Sequence, residues 1–167
     1  MSTIIILISV ICASVGIDQI VKAVVRANMS VGETIPVIED VFHITYIRNE
    51  GAAFGMLSEH RWVFMITSTI AIIAILIYLF KYCKESMLTK VGMAMLVGGG
   101  IGNMIDRVIL GYVVDMIDCR FIDFYIFNIA DSFICVGTGI VILGFILSLV
   151  KEKKSHSPDK KDEDTRI

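Results

Sequence analysis

The sequence predicts an all-α membrane protein with four transmembrane helices and a small extracytoplasmic β-sheet. Three observations carry this. The 167 residues are 56% hydrophobic and only 19% charged, with a mean hydropathy of +0.78. A soluble domain carries about 45–50% apolar and about 25% charged residues. The few charges leave long gaps: residues 1–17 have none, and Trp62–Phe80 and Ser132–Val150 are uncharged runs of 19 residues each. Between two of these gaps lies Phe42–Ile47, a β-branched and aromatic run with rough alternation, which predicts a strand.

A membrane helix needs roughly 17–25 mostly apolar residues. The first span is expected at about 4–26. It lacks the basic start and the A-x-A site of a cleaved signal peptide, and Ile11 is too bulky for Cys12 to be a lipidation cysteine, so it reads as a helix. The second span covers 62–81. The third, 88–107, rests on the shortest gap, the 15 residues Val91–Ile105. The fourth covers 131–150. Residues 30–38 suggest a second, turn-broken strand in the loop 27–61. Residues 108–130 form another external segment. Length favours one domain, here 1–150, followed by a charged, flexible cytoplasmic tail, 151–167.

Lysines set the direction. Lys81, Lys84 and Lys90 flank the short loop 82–87, and the tail carries Lys151, Lys153, Lys154, Lys160 and Lys161. Both termini are therefore expected in the cytoplasm, with loops 27–61 and 108–130 outside. A net charge of −2 argues against nucleic acid as a partner. The four cysteines are dispersed, so no disulfide framework is expected. His43, His60 and His156 lie outside the spans, so paired haem ligands within the membrane are lacking.

Ionisable groups in or near lipid are functional candidates by default. They gather at the outer ends of the spans. Asp18 and Lys22 stand at i,i+4 on one helix face, as a self-satisfying ion pair or as support for a site. Gly98 and Gly102 form G-x-x-x-G, which favours close helix packing. Asn103 and Arg107 follow, again at i,i+4; Arg107 either snorkels to the interface or pairs with a carboxylate. Asn128 and Asp131 have capping-box spacing at the start of the fourth span. Asp115 follows two β-branched residues, sixteen positions before Asp131. Two carboxylates that share a proton supply a base and an acid together, which is aspartic-peptidase chemistry without metal or cofactor. Spacing alone does not choose Asp115 over Asp118 or Asp123. A small transporter is the other reading, but it would want polar groups through the membrane centre, and here they crowd one side.

Five blocks in order decide between these readings. They are Asp18-Gln19 with Lys22; Arg48-Asn49-Glu50-Gly51-Ala52-Ala53-Phe54-Gly55; Gly99-Gly100-Ile101-Gly102-Asn103 with Asp106-Arg107; Gly111 with Val113-Val114-Asp115; and Phe127-Asn128-Ile129-Ala130-Asp131. Together they resemble lipoprotein signal peptidase (signal peptidase II), a bacterial intramembrane aspartic peptidase family. The resemblance implies a cytoplasmic (inner) membrane enzyme. It implies removal of the signal peptide from a prolipoprotein, before a cysteine that carries diacylglycerol. It makes Asp115 and Asp131 the catalytic pair and places Asn49, Gly51, Asn103, Arg107 and Asn128 around the site, with Asp18 and Lys22 beside it. It also implies inhibition by the cyclic peptide globomycin. Met116, where the family often has Phe, and Glu50 are minor departures.

Overall fold

The computed structural model describes residues 2–51, 61–122 and 124–155. In chain order the elements are α1 (Ser2–Asn28), β1 (Thr34–Ile38), β2 (Phe42–Asn49), α2 (Arg61–Ile77), α3 (Met87–Ile109), β3 (Val113–Cys119) and α4 (Ile129–Ser155). A π-helical turn, Tyr78–Tyr82, extends α2. Among the described residues, four helices are long and apolar enough to cross a membrane. Ala52–Gly55, His60, Asp123 and the tail from 156 onward lie outside the described residues.

The span with the shortest apolar run is the centre of the bundle. Half of α3's most apolar stretch is buried, whereas almost none of α2's is. A helix enclosed by other helices needs small residues more than large apolar ones, because in lipid close packing replaces the hydrophobic drive. That accounts for the glycines of α3 and for its low hydropathy of 1.2, against 2.4 for α1 and 2.6 for α4. A Cβ on Gly98 would lie 2.6 Å from the Ser14 Cβ of α1, and one on Gly102 would lie 2.6 Å from Asp18 Oδ2. The G-x-x-x-G face is thus the seam with α1. Gly92 and Gly137 close the seam with α4: a Cβ on Gly137 would lie 2.7 Å from the Gly92 carbonyl oxygen. Ser86 caps the start of α3, its hydroxyl accepting from the Thr89 backbone N–H.

The strands form one antiparallel sheet in the order β1-β2-β3. β2 covers the predicted run and continues to Asn49. β1 is the second strand of the turn-broken segment, entered through Gly32 at φ 86°. β3 was not expected; the segment 108–130 reads in sequence as a connection, yet Val113–Cys119 pairs with β2 along its length. Between Ile44 and Ile47 the register shifts, so Thr45 and Tyr46 share the span opposite Met116. This bulge sets Ile47 across from Asp115 and Asn49 across from Val113, which puts Asn49 and Asp115 on one face of the sheet. Beyond β3, exposed Phe121, Ile122, Phe124 and Tyr125 lead into α4, an aromatic group of the kind that sits at a membrane–water boundary.

The packing makes a direct prediction. Gly137→Val forces the α3–α4 seam apart and costs on the order of 1–3 kcal/mol or more. Gly139→Ala, where a Cβ meets nothing within 4 Å, costs nothing. Thermal unfolding of the two purified variants in detergent separates them.

Candidate active site

One end of the bundle collects nearly every buried polar side chain. The C-terminal half of α1, the C-terminal end of α3, the N-terminal end of α4 and the sheet meet there. Lys22 lies at its base, 2% exposed. Its Nζ is 2.9 Å from Asp18 Oδ2 and 3.1 Å from Asp106 Oδ2, and it donates to Asn103 Oδ1 at 2.9 Å. All three donor positions of the ammonium are used. An ammonium that deep is tolerable only when its charge is paired and its protons are bonded.

Asp18 and Asp106 carry the pairing outward. Asp18 Oδ1 accepts from the Ala130 backbone N–H at 2.9 Å, satisfying one of the open donors in the first turn of α4. Asp106 Oδ2 accepts from Val114 N at 3.0 Å and so holds β3 to α3. Gln19 bridges the two carboxylates through Nε2, 3.2 Å from Asp18 Oδ2 and 3.0 Å from Asp106 Oδ1. Asp106 and Gln19 stand in the matching sequence blocks but are not among the expected site residues. The signal was there: Asp106 follows Gly102 by four and Asn103 by three, and so shares their helix face.

Two asparagines pass from this base to the two aspartates. Asn103 Nδ2 donates to Asp131 Oδ1 at 2.7 Å. Asn128 Nδ2 donates to Asn103 Oδ1 at 3.0 Å and to Asp115 Oδ1 at 2.6 Å. From the sheet, Asn49 Nδ2 donates to Asp115 Oδ2 at 2.9 Å. Gly51 N donates to Asn49 Oδ1 at 3.1 Å, which turns the Asn49 amide so that its NH₂ faces Asp115. Asn128 and Asp131 also form the expected capping box. Asp131 N donates to Asn128 Oδ1 at 2.9 Å, and Asn128 N donates to Asp131 Oδ2 at 3.2 Å. Asp131 therefore caps α4 with one oxygen and meets Asn103 with the other.

Arg107 Nη1 donates to the Asn103 carbonyl oxygen at 3.4 Å. Asp131, Asp115 and Asp106 attract it electrostatically, but among the described residues it forms no ion pair. The structure thus brings together Asp18, Lys22, Asn49, Gly51, Asn103, Asn128, Asp115 and Asp131, with Arg107 at the rim. Asp118 is placed elsewhere, bonded by Thr45 at 2.7 Å and Arg120 at 3.1 Å.

Asp115 is the aspartate whose protonation is most altered. Burial pushes its carboxyl up to about 6, against the bonds from Asn49 and Asn128, which favour the ionised form. The charge of Asp131 adds to the rise, and that of Lys22 opposes it. Among the described residues no group of His, Cys, Asp or Glu could hold a metal ion.

A family model described as signal peptidase (SPase) II matches residues 10–147. The chain belongs to the signal peptidase II family. The lipoprotein signal peptidase of Streptococcus thermophilus (strain CNRZ 1066) is 47% identical over 133 residues, covering 80% of this chain and 87% of that relative. That of Clostridioides difficile (strain 630) is 44% identical over 131 residues, covering 78% and 88%. A solved bacterial membrane enzyme shares the fold with a TM-score of 0.79 and 34% identity, over 92% of this chain and 93% of its own. A second has a TM-score of 0.77 and 36% identity, over 83% and 91%. Membership of the signal peptidase II family makes the chain a membrane protease, and the cluster at the bundle end is where its polar chemistry is concentrated.

Lys22→Met strips the cation from Asp18 and Asp106 and leaves buried carboxylates uncompensated. The expected loss is about 3–5 kcal/mol, read by thermal unfolding. Asp18→Asn combined with Lys22→Met recovers part of it.

Proposed function

We propose that this chain is an aspartic endopeptidase that removes the signal peptide from prolipoproteins, cutting before the diacylglyceryl-modified cysteine, with Asp115 and Asp131 as its acid–base pair. The observation that carries this reading is the pair's setting. Two aspartates on separate elements, one on β3 and one on α4, are tied to a single bridging pair of asparagines, and one of them has its pKa raised by burial toward neutrality.

The chemistry follows from the two environments. Asp115, whose carboxyl is raised by burial, is the holder of the shared proton, and Asp131 is the partner that takes a proton from water. A water between them gives a proton to the carboxylate as its oxygen bonds to the scissile carbonyl carbon, while the carboxyl gives its proton to the carbonyl oxygen, forming a tetrahedral diol. The newly protonated partner then gives its proton to the leaving nitrogen as the carbon–nitrogen bond breaks, and the other carboxylate takes a proton back from a diol hydroxyl. One water is consumed, and the pair returns to one proton. The flanking asparagines hold both side chains in place throughout.

The substrate is itself a membrane segment bearing a lipid, so it must arrive from the side. Two features suit this. Helix α2 buries almost none of its length within the bundle. An apolar groove of about 320 Å³ runs between α2 and α3, with Ile72, Ile73, Ile101 and Ile105 in its walls. It starts within one turn of Asp106 and Arg107, and we assign it to the apolar part of the substrate. Cleavage needs an unwound peptide, and the sheet beside Asp115 offers strand-like pairing for it. The lysine distribution supports a cytoplasmic location for both termini and an extracytoplasmic one for this end of the bundle. A globomycin-type cyclic peptide would occupy the same cleft.

Asp115→Asn and Asp131→Asn are each expected to lower the turnover of a diacylglyceryl-modified precursor about a thousandfold or more, with insertion and thermal stability retained. Normal processing by the purified Asp131→Asn enzyme would overturn the reading. The pH profile supplies a second check. The pair works with one proton, so kcat/KM falls on the alkaline side as that proton is lost, from about pH 6 upward in the free enzyme. Asn49→Leu removes a donor that favours the ionised Asp115, so the alkaline limb moves to higher pH. A limb that stays put, or moves down, detaches Asn49 from the pair.

A further inference from the structure

On the other face of the sheet from Asn49 and Asp115 lies a second cavity, of about 500 Å³, between the C-terminal end of α1 and strand β2. Ala23, Arg26 and Ala27 of α1 line one side, and Tyr46, Arg48 and Tyr112 the other. Buried Val25, Tyr46, Val114 and Met116 pack in one cluster beneath it, which separates it from the aspartates. The mechanism uses none of its polar groups.

Its charge is one-sided. Arg26 stands in the last turn of α1, where it meets the partial negative charge of a helix C-terminus. Arg48 has no such explanation. It is exposed on a strand, its guanidinium lies 4.7 Å from the centre of the Tyr112 ring, and its Nε donates to the Tyr46 hydroxyl at 3.4 Å. These contacts hold the fork in place and leave both terminal amino groups without a partner among the described residues. The two nearby carboxylates do not fill the gap. Glu33 accepts from Ser30 N at 2.7 Å, and Glu50 attracts Arg48 electrostatically but forms no ion pair with it among the described residues. A guanidinium fixed by its ring plane and Nε, with its outer edge open, is arranged for bidentate contact with a phosphate.

The cavity also opens onto an apolar track. Ala23 and Ala27 continue down the same face of α1 to Ile20, 65% exposed, with Val24 beside it, 56% exposed. A Cβ on Gly16, one turn further, would meet nothing within 4 Å. This face of a membrane-crossing helix touches lipid. A phosphate cradle at the top of an open apolar stripe matches one molecule: a headgroup above, an acyl chain below.

We propose that Arg26 and Arg48 bind the phosphate of an anionic phospholipid whose acyl chain lies along Ile20 and Val24. The diacylglyceryl group of a modified cysteine carries no phosphate and is not what this cavity selects. Arg48 immediately precedes Asn49 in β2, and the two side chains leave opposite faces of the strand. A lipid held by Arg48 therefore steadies the strand end that presents Asn49 to Asp115.

The test is lipid retention, which needs no substrate and is independent of whether the chain cleaves anything. The purified full-length protein is mixed in detergent with equal amounts of phosphatidylglycerol and phosphatidylcholine and examined by native mass spectrometry. One phosphatidylglycerol is expected to be retained, in about tenfold preference. Arg48→Gln is expected to lower retention about tenfold, the size of one lost charge-assisted contact. Arg26→Gln, at an exposed position, acts in the same direction and keeps the test open if Arg48→Gln fails to fold. Lys81→Gln, at the far end of α2, has no effect. Equal retention of the two lipids, or unchanged retention in the Arg26→Gln/Arg48→Gln double variant, overturns the proposal. Displacement of the lipid by millimolar inorganic phosphate overturns the phospholipid as occupant and leaves a free-anion site in its place.

Discussion

The buried ammonium of Lys22 is the interaction on which the rest of this structure depends. It contacts Asp18 within its own helix, Asp106 on α3 and Asn103 one turn earlier on α3. Each partner in turn reaches a different element. Asp18 holds the first turn of α4 through Ala130 N, Asp106 holds β3 through Val114 N, and Asn103 reaches Asp131. Three helices and one strand are therefore positioned by a single charge. In water such contacts would each be weak; at the end of a membrane bundle the alternative for each group is to remain unpaired in a poorly polarisable medium, so the network must be complete or absent.

Completeness demands that the backbones come close. Gly102 lets Asp18 lie against the spine of α3, and Gly98 does the same for Ser14 one turn below. A side chain at either position would lengthen the contacts of Lys22 to Asp106 and Asn103. The glycine seam and the ion cluster are thus one device: the first sets the distance and the second uses it. This also explains why the central helix is the least apolar of the four. Its residues are chosen for what neighbouring helices can touch, whereas those of α2 are chosen for lipid.

Much of this was legible in the sequence, for physical reasons that differ from residue to residue. A transmembrane helix announces itself by length and lack of charge, so four spans could be read directly. Asp18 with Lys22, and Asn128 with Asp131, are local pairs whose helical spacing fixes their geometry. β3 was hidden because its seven residues, Val113–Cys119, contain two aspartates and follow a glycine turn; nothing local distinguishes them from a loop, and the strand exists through pairing with β2 some seventy residues earlier. The bulge at Thr45 and Tyr46 was equally invisible, yet it decides that Asn49 and Asp115 share a face. Asp106 shows in the sequence only through its helix-face spacing from Gly102 and Asn103, because its ionic partner Lys22 lies on another helix. Choosing Asp115 over Asp118 needed either family resemblance or the structure: the two alternate along β3, so they face opposite sides of the sheet.

In the proposed reading, Asp131 combines a structural role and a chemical one in one carboxyl group. A capping box usually argues against a reactive side chain, since the cap consumes its acceptor capacity. Here Oδ2 meets the backbone of Asn128 while Oδ1 meets the side chain of Asn103. Each carboxylate oxygen has two lone-pair directions, so both bonds leave capacity for water. The cap fixes the rotation of the group at the start of α4. Asp115 is built on the opposite plan: it sits on a strand, buried, with its proton favoured by desolvation. In the proposed reading the two halves of the acid–base pair come from two kinds of secondary structure, a helix N-terminus for Asp131 and a buried strand for Asp115.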